Sequence, residues 1–235
     1  MAKWLVITGA SQGIGKSTAT VFMDNGWSVI NISRRPCPIV GVHNLMADLS
    51  QIETITALKP KLTELLAGEH MISLVHNAAA FIKDNILTLD SHELQRLLMV
   101  NVIAATQLNQ LIIPFMGTGS AIIYIGSTLS EKAVSDTASY VISKHAVVGM
   151  MRATCQDLFA KPGIHTCCVC PGFTATEMML EHQRNNPELI AVIKQRTAVN
   201  RLIEPKEIAE LIYFCANNPV INGSVIHGHL GQRER

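Results

Sequence analysis

Three side chains that can take part in proton transfer lie close together in the second half of the sequence. Ser127 precedes Tyr140 by thirteen positions, and Lys144 follows Tyr140 by four. Residues four apart lie on one face of a helix, and a nearby ammonium favours the phenolate, lowering a tyrosine pKa that is ordinarily about 10. The spacing predicts an acid–base site. Taken alone, a Tyr-x-x-x-Lys pair is more often an exposed surface pair.

Asn101 is the fourth candidate, because it falls within an apolar helical pattern, on the face predicted to be buried. That pattern comprises Leu94, Leu97, Leu98, Asn101, Ala104, Ala105 and Leu108. A buried amide without hydrogen bonds costs about 1–3 kcal/mol, so we expect it to bind backbone groups or an ordered water molecule. A purely structural core asparagine would show the same pattern.

A glycine-rich turn, TGASQGIG at residues 8–15, follows a short apolar strand and opens a helix. Its glycines allow a tight turn and a close approach of backbone amides to a pyrophosphate, and the helix N-terminus supplies a positive dipole end. The turn therefore predicts a dinucleotide site near Gly9, Ser11, Gln12, Gly13, Ile14 and Gly15. An ordinary strand-to-helix turn is the alternative.

Ser33-Arg34-Arg35 follows the second strand, where an enzyme that selects NAD would place an acidic residue against the ribose. A hydroxyl and a guanidinium at this point favour NADP(H), because they can bind its 2′-phosphate. Arg34 is preferred over Arg35, which precedes Pro36. The alternative is a solvated basic loop.

Two further segments offer weaker signals for the dinucleotide. Asp48 and Leu49 could hydrogen-bond and pack against an adenine edge, although Asp48 could instead be a helix N-cap. The small residues of Asn77-Ala78-Ala79, after the fourth strand, would let the dinucleotide pass closely. The order of these segments along the chain is more informative than any one of them.

Short apolar runs without clean alternation are separated by helical patterns, which is typical of a parallel sheet covered on both faces. The predicted strands are Trp4–Ile7, Ser28–Ile32, Ile72–His76, Ala121–Ile125, Thr166–Val169 and Val225–Ile226, with helices from about Gly13 and near Pro205. They predict a single α/β domain, residues 1–235, with a doubly wound Rossmann-type sheet between two helical layers. The irregular segment at about 173–200 is predicted to be a lid over the substrate.

Composition favours small-molecule chemistry. The chain of 235 residues has 48% apolar residues and a formal net charge of +1, so no basic footprint for nucleic acid or an anionic membrane is expected. We expect a cytoplasmic protein, since neither a signal-peptide pattern nor an apolar run of membrane-spanning length is evident. The six cysteines favour reduced, buried thiols, and neither Cys167, Cys168 and Cys170 nor His227 and His229 predict a metal site.

Taken together, TGASQGIG, NAA at residues 77–79, Asn101, Ser127, the YVISK motif and PGFTAT at residues 171–176 resemble the short-chain dehydrogenases/reductases over essentially the whole chain. The resemblance implies that Tyr140 is the general acid/base, Lys144 lowers its pKa and holds the nicotinamide ribose, Ser127 polarises the carbonyl or alcohol, and Asn101 anchors a relay water. It also implies cofactor contacts by the glycine turn, Ser33, Arg34, Asp48, Leu49, Asn77, Ala78, Ala79, Pro171, Gly172, Thr174 and Thr176. A homodimer or homotetramer is usual in this family.

Two departures accompany the resemblance: the usual Asn-Asn-Ala-Gly reads His76-Asn77-Ala78-Ala79, and the usual acidic-Gly-Gly near the C-terminus reads His227-Gly228-His229. The expected function is NADPH-dependent, reversible reduction of a ketone or aldehyde to an alcohol. The alternative is a non-catalytic NADP(H)-binding sensor or scaffold, which would not need a phenol and an ammonium one turn apart. Enoyl reduction would be expected to show a wider spacing between the tyrosine and the lysine.

Overall fold

The described residues, 1–183 and 187–233 of the computed structural model, form a seven-stranded sheet in which every pairing is parallel, in the order β3-β2-β1-β4-β5-β6-β7. The strands are β1 Lys3–Thr8, β2 Ser28–Ser33, β3 His43–Met46, β4 Met71–His76, β5 Ser120–Ile125, β6 Ile164–Pro171 and β7 Val225–Gly228. From β1 the chain adds β2 and β3 on one side, and it then crosses over to add β4 and the later strands on the other side of β1. In such sheets ligands bind at the carboxyl ends of the strands beside this reversal.

Helices cover both faces of the sheet, as the predicted doubly wound class requires. They are α1 Gly13–Asp24, α2 Ile52–Thr56, α3 Lys59–Leu65, α4 Ser91–Leu98, α5 Ala104–Ile112, α6 Ala138–Asp157, α7 Glu177–Gln183, α8 Pro187–Gln195 and α9 Pro205–Asn217. Two apolar clusters, one on each face, hold the layers together: Ile30, Leu74 and Ile122 belong to one, and Leu5, Phe22 and Ile123 to the other. Alternate residues of each central strand therefore pack into the two cores on opposite faces of the sheet, which explains the continuous apolar runs.

All six predicted strands are found, each longer than predicted by a residue or more at one end or both. Strand β3 is the one strand of the described sheet that the sequence did not predict. It lies at the edge of the sheet, and only Leu45 of its four residues is buried. An apolar run is therefore not required there, and the sequence carried little signal.

The segment from 173 to 200 carries α7 and α8, with residues 184–186 lying outside the described residues. Pro187 is the first residue of α8. Proline is well tolerated in a first turn, where its missing N–H has no intrahelical partner to lose.

Within the described residues, Ser91–Phe115 is one helical stretch long and apolar enough to cross a membrane. Leu97, Leu108 and Ile112 on this stretch are fully buried, and its middle part belongs to the core between the helices and the sheet. It is therefore a core helix of the α/β domain.

Candidate active site

Tyr140 and Lys144 lie together on the first turns of α6. The Lys144 Nζ is 5.4 Å from the centroid of the Tyr140 ring and donates a hydrogen bond of 2.8 Å to the carbonyl of Ile125, at the end of β5. The lysine is only 3% exposed, whereas Tyr140 is half-buried. The buried ammonium is thus fixed between the strand end and the phenol, which remains open on one side.

Ser127 stands two residues beyond β5, on the same strand end that binds Lys144. Its Oγ accepts a hydrogen bond of 3.1 Å from Leu129 N, and its own N–H donates to Ser130 Oγ, also at 3.1 Å. This reciprocal cap starts the short 3₁₀ turn Thr128–Ser130 and fixes the direction in which Ser127 leaves the sheet. The structure thus brings Ser127, Tyr140 and Lys144 to one end of β5.

Two sulfur atoms lie beneath the serine turn. A Cβ added at Gly126 would lie 2.7 Å from Cys170 Sγ and 2.8 Å from Cys168 Sγ, so only glycine fits between the strand end and these thiols. Cys168 and Cys170 share a face of β6, with their sulfurs 3.8 Å apart, and both are fully buried. They pack as small apolar side chains.

Asn101 lies in a π-helical turn, Met99–Ile103, between α4 and α5. Its amide makes three hydrogen bonds: Oδ1 accepts from Ala80 N at 2.7 Å, and Nδ2 donates to Ala80 O and to Ser143 Oγ, both at 3.0 Å. The predicted burial and backbone hydrogen bonding are confirmed. Asn101 therefore ties the chain that leaves β4 to the middle of the Tyr140 helix.

The glycine turn is built around close backbone approaches. Asn77 Nδ2 donates to Thr8 O and Gly9 O, and the Thr8 hydroxyl accepts from the N–H groups of Asn77 and Ala78. A Cβ added at Gly15 would lie 2.2 Å from Gly9 O. Asn77 is therefore already engaged in holding the turn, and Thr8 is a site residue that the motif contained but the prediction did not single out.

Helix α1 begins without a side-chain cap at Gln12, so the N–H groups of its first turn have no side-chain acceptor at that position. Such a helix N-terminus suits an anion. Buried Asn31 of β2 braces the turn from the other side, because its Oδ1 accepts from Ala10 N at 2.9 Å. This link gave no sequence signal beyond a single polar residue within an apolar strand.

The polar residues at the end of β2 make hydrogen bonds within the protein that the sequence did not predict. Ser33 is nearly buried, and its hydroxyl donates its single proton to the carbonyl of Arg35. Arg35, which the sequence disfavoured, reaches the glycine turn, where its guanidinium donates to Gln12 Oε1 at 2.6 Å. To donate to a phosphate, Ser33 would first have to release the carbonyl of Arg35.

The charges of Arg34 and Asp48 attract each other at the carboxyl ends of β2 and β3. Hydrogen bonds from the backbone N–H and the hydroxyl of Ser50 lower the pKa of Asp48, and the charge of Arg34 adds to this effect. Asp48 is not the N-cap of α2, because Gln51 occupies that position. Its neighbour Leu49 is buried in the core.

The PGFTAT segment leaves β6 and turns towards the glycine turn. Thr174 is nearly buried and bonds to Gly172 O, whereas the Thr176 side chain lies 3.2 Å from where a Cβ of Gly13 would be. Thr176 also accepts from Met179 N, at the start of α7. The segment and the glycine turn thus form one contiguous region, as expected for a shared ligand.

The chain matches, over residues 9–231, the family described as Enoyl-(Acyl carrier protein) reductase. Carbonyl reductase family member 4 of Xenopus tropicalis is 27% identical over 236 residues, which cover 96% of each chain. This chain belongs to the short-chain dehydrogenases/reductases. It is therefore an oxidoreductase of the alcohol/carbonyl class.

Solved structures of other enzymes have the same fold. L-Sorbose reductase from Gluconobacter frateurii, complexed with NADPH and L-sorbose, is 22% identical, with a TM-score of 0.89 over 100% of this chain and 97% of that one. 4-Hydroxyisoleucine dehydrogenase, complexed with NADH, is 23% identical, with a TM-score of 0.87 over 97% and 98% of the two chains. The first of these structures contains NADPH and the second contains NADH.

The C-terminal departure from the family pattern lies beside the serine turn. His227 Nε2 is 2.9 Å from Glu131 Oε2, one residue beyond the turn, and the rings of His227 and His229 are 5.5 Å apart. Within residues 1–183 and 187–233, no group of three or more His, Cys, Asp or Glu side chains is arranged to hold a metal ion. The contact between His227 and Glu131 joins β7 to the Ser127 turn in this short-chain dehydrogenase/reductase.

The other departure, His76, belongs to a buried polar network. Its Nε2 lies 2.8 Å from Asn109 Oδ1, Asn109 Nδ2 donates to Tyr124 OH at 2.7 Å, and Tyr124 OH is 2.9 Å from Thr154 Oγ1. An amide oxygen can only accept, so neutral His76 carries its proton on Nε2. His76 and Tyr124 also line a cavity of about 10 Å³ together with Lys144 and Asn101.

Burial lowers the pKa of His76 to about 4, although the hydrogen bond with Asn109 opposes this shift. The unfolded chain binds this proton below its ordinary pKa of 6.5, whereas the folded protein does not until about pH 4. Acid should therefore remove stability between these two pH values, by about 3 kcal/mol in total. His76→Asn should flatten this part of the pH profile of the free energy of unfolding, measured with urea from pH 7 to pH 4.

The matched control for this prediction is His145→Asn, which changes an exposed histidine on α6 and should leave the profile unchanged. A profile for His76→Asn that is parallel to that of the wild type would contradict the prediction.

Proposed function

We propose that this enzyme reduces a ketone or aldehyde to an alcohol with NADPH, through a proton relay of Ser127, Tyr140, Lys144 and Asn101, and can run in reverse. NADPH supplies the hydride. In the proposed roles Tyr140 gives its proton to the developing alkoxide, Ser127 binds the carbonyl oxygen, and Lys144 orients the phenol and the nicotinamide ribose. Asn101 anchors the water molecule that completes the relay.

The observation that carries this proposal is the burial of Lys144. Among the described residues its ammonium is bonded to a neutral carbonyl and has no carboxylate partner within ion-pair distance. A buried cation without a counter-ion is costly, and such groups concentrate at functional sites. Dinucleotide binding alone would not need it beside a phenol, which favours the enzyme over a non-catalytic sensor.

The preference for NADPH is proposed from the two arginines after β2. In this position Arg35 lies against the glycine turn and Arg34 near Asp48, so a 2′-phosphate at the edge of β2 would meet positive charge from both sides. An enzyme selecting NAD would place an acid here. The proposed clamp is Arg34 with Arg35, and Ser33 joins it only if its hydroxyl turns outward.

We also propose that the 173–200 segment is the substrate lid. Its helix α7 starts against the glycine turn, where Glu177 Oε2 lies 3.3 Å from the position of an added Gly13 Cβ. Met178 and Leu180 on α7 are about 40% exposed, which supplies an apolar and adaptable surface to close over a substrate.

The test is nucleotide consumption, followed by absorbance, across a panel of ketones, aldehydes and an enoyl thioester, with NADPH and NADH in parallel. The proposal expects turnover of at least one carbonyl compound, faster with NADPH. Dinucleotide binding without any turnover would favour the sensor, and turnover of the enoyl thioester alone would replace carbonyl reduction by enoyl reduction.

The same panel tests the phosphate clamp with Arg34→Asp and Arg35→Asp. Either change should weaken NADPH binding about tenfold or more relative to NADH, because a carboxylate repels the 2′-phosphate. Lys61→Asp is a control, since this exposed lysine on α3 pairs with Glu64. An unchanged NADPH-to-NADH ratio in both arginine variants would overturn the clamp.

A further inference from the structure

A short segment after β4, residues 80–84, contacts three parts of the site in succession. At its start, both backbone groups of Ala80 are bound by Asn101. In its middle, the ring of Phe81 meets that of Tyr140 edge-on, with centroids 5.1 Å apart and planes at 66°. At its end, Asp84 reaches the N-terminus of α6, the helix that carries Tyr140 and Lys144.

Asp84 caps that helix from a distant part of the sequence. Its Oδ1 accepts from Ser139 N at 3.0 Å, and its Oδ2 accepts from the Ser139 hydroxyl. The local N-cap residue, Thr137, makes no side-chain cap, because its hydroxyl donates to Val134 O instead. A carboxylate at a helix N-terminus binds free N–H groups and complements the helix dipole.

The backbone of Asp84 holds the entry to α6 as well. Asp84 N donates to Asp136 O and Asp84 O accepts from Ala138 N, both at 3.2 Å. Asp136 has a φ of 60°, a left-handed conformation that a residue other than glycine adopts only when its surroundings impose it. Asp84 therefore fixes the turn before the helix, its first free N–H groups, and the residue directly preceding Tyr140.

We propose that Asp84 is a positioning residue for the reaction: it sets where α6 begins and thereby the direction of the Tyr140 phenol relative to Ser127. Ser139 is the second residue of α6 and Tyr140 is the third, so a shift of the first turn moves the phenol directly. Lys144 is one turn further on and is held independently by Ile125 O. Loss of Asp84 should thus disturb Tyr140 more than Lys144. This inference rests on the proposed function of Tyr140.

The test compares Asp84→Ala with Asp90→Ala. Asp90 caps α4 in the same way, accepting from His92 N and Glu93 N, but it lies outside the site. Both variants should unfold at lower urea concentration. Asp84→Ala alone should lower kcat, by about 10- to 100-fold, with KM and the NADPH dissociation constant within about twofold. Asp84→Asn, which keeps an oxygen for Ser139 N, should recover most of kcat.

A readout independent of turnover separates this inference from the proposed function. The chain has three tyrosines, so a ¹³C label at Cζ gives few NMR signals, and Tyr140→Phe assigns the one of interest. Asp84→Ala should shift or broaden the Tyr140 signal and leave those of Tyr124 and Tyr213 in place. An inactive wild type with this shift would refute the function and keep the positioning role.

Three outcomes would overturn the positioning role. The first is a kcat for Asp84→Ala within about twofold of the wild type; the second is an equal loss of kcat in Asp90→Ala; the third is an unmoved Tyr140 signal. If Asp84→Ala does not fold, Ser139→Ala removes only the hydroxyl-to-carboxylate bond and keeps the backbone cap. The same comparisons then apply to that variant, with a smaller expected loss of kcat.

Discussion

Replacing Tyr140 by phenylalanine should lower kcat by about 10²- to 10⁴-fold, the usual range for the loss of a general acid or base. Phenylalanine keeps the ring that packs edge-on against Phe81 and lies beside the Lys144 ammonium, so the site should keep its shape. Only the proton donor is lost. The dissociation constant for NADPH, measured by titration calorimetry, should therefore stay within about threefold of the wild type.

Tyr213→Phe is the matched control for this prediction. Tyr213 lies on α9 and packs edge-on against Phe22, on the other face of the sheet from the Tyr140 helix. Its loss of a phenol should leave kcat unchanged with every active substrate of the panel. If Tyr140→Phe and Tyr213→Phe both match the wild type, Tyr140 is not the acid.

Gly15→Ala should abolish measurable dinucleotide binding and lower the free energy of unfolding by about 1–3 kcal/mol. The added Cβ would lie 2.2 Å from Gly9 O and 2.5 Å from Asn77 Nδ2, which are the two groups that hold the turn together. Neither can yield without opening the turn. Urea unfolding and calorimetric titration with NADPH measure the two effects separately.

Gly149→Ala is the matched control, because at this position there is space for the added methyl group. Gly149 is exposed in the middle of α6, and no atom lies within 4 Å of its added Cβ. Gly149→Ala should therefore stabilise the protein by about 0.5–1 kcal/mol, because alanine is the better helix former. Normal NADPH binding by Gly15→Ala would show that the turn adapts more easily than its geometry indicates.

The sequence predicted the parts of this molecule in which one residue type can satisfy the physical requirement. Buried parallel strands need apolar runs, so β1, β4 and β5 were found, and the amide of Asn101 stood out within an apolar helical face. The glycine turn was found for the same reason, since backbone atoms leave no space for a side chain at Gly15. The tyrosine and lysine had a recognisable spacing because one helix carries both.

Contacts between polar residues far apart in the sequence were not predicted. Asp84 and Ser139 meet across 55 positions, and Asn31 meets the glycine turn across 21. Short polar side chains in loops or strands are common, so none of these positions has a pattern of its own. The contact of Arg35 with Gln12 was not predicted for a related reason: the direction of each arginine side chain depends on how the chain leaves β2, which its residue types do not determine.

The cysteines make this enzyme a reporter of its own local opening. All six are free thiols, and five are buried, whereas Cys155 on α6 is partly accessible. Cys168 and Cys170 underlie the Ser127 turn, so a thiol reagent can reach them only when β6 and that turn separate. The ratio of their labelling rate to the rate for an exposed thiol therefore measures how often the floor of the site opens, without substrate or cofactor.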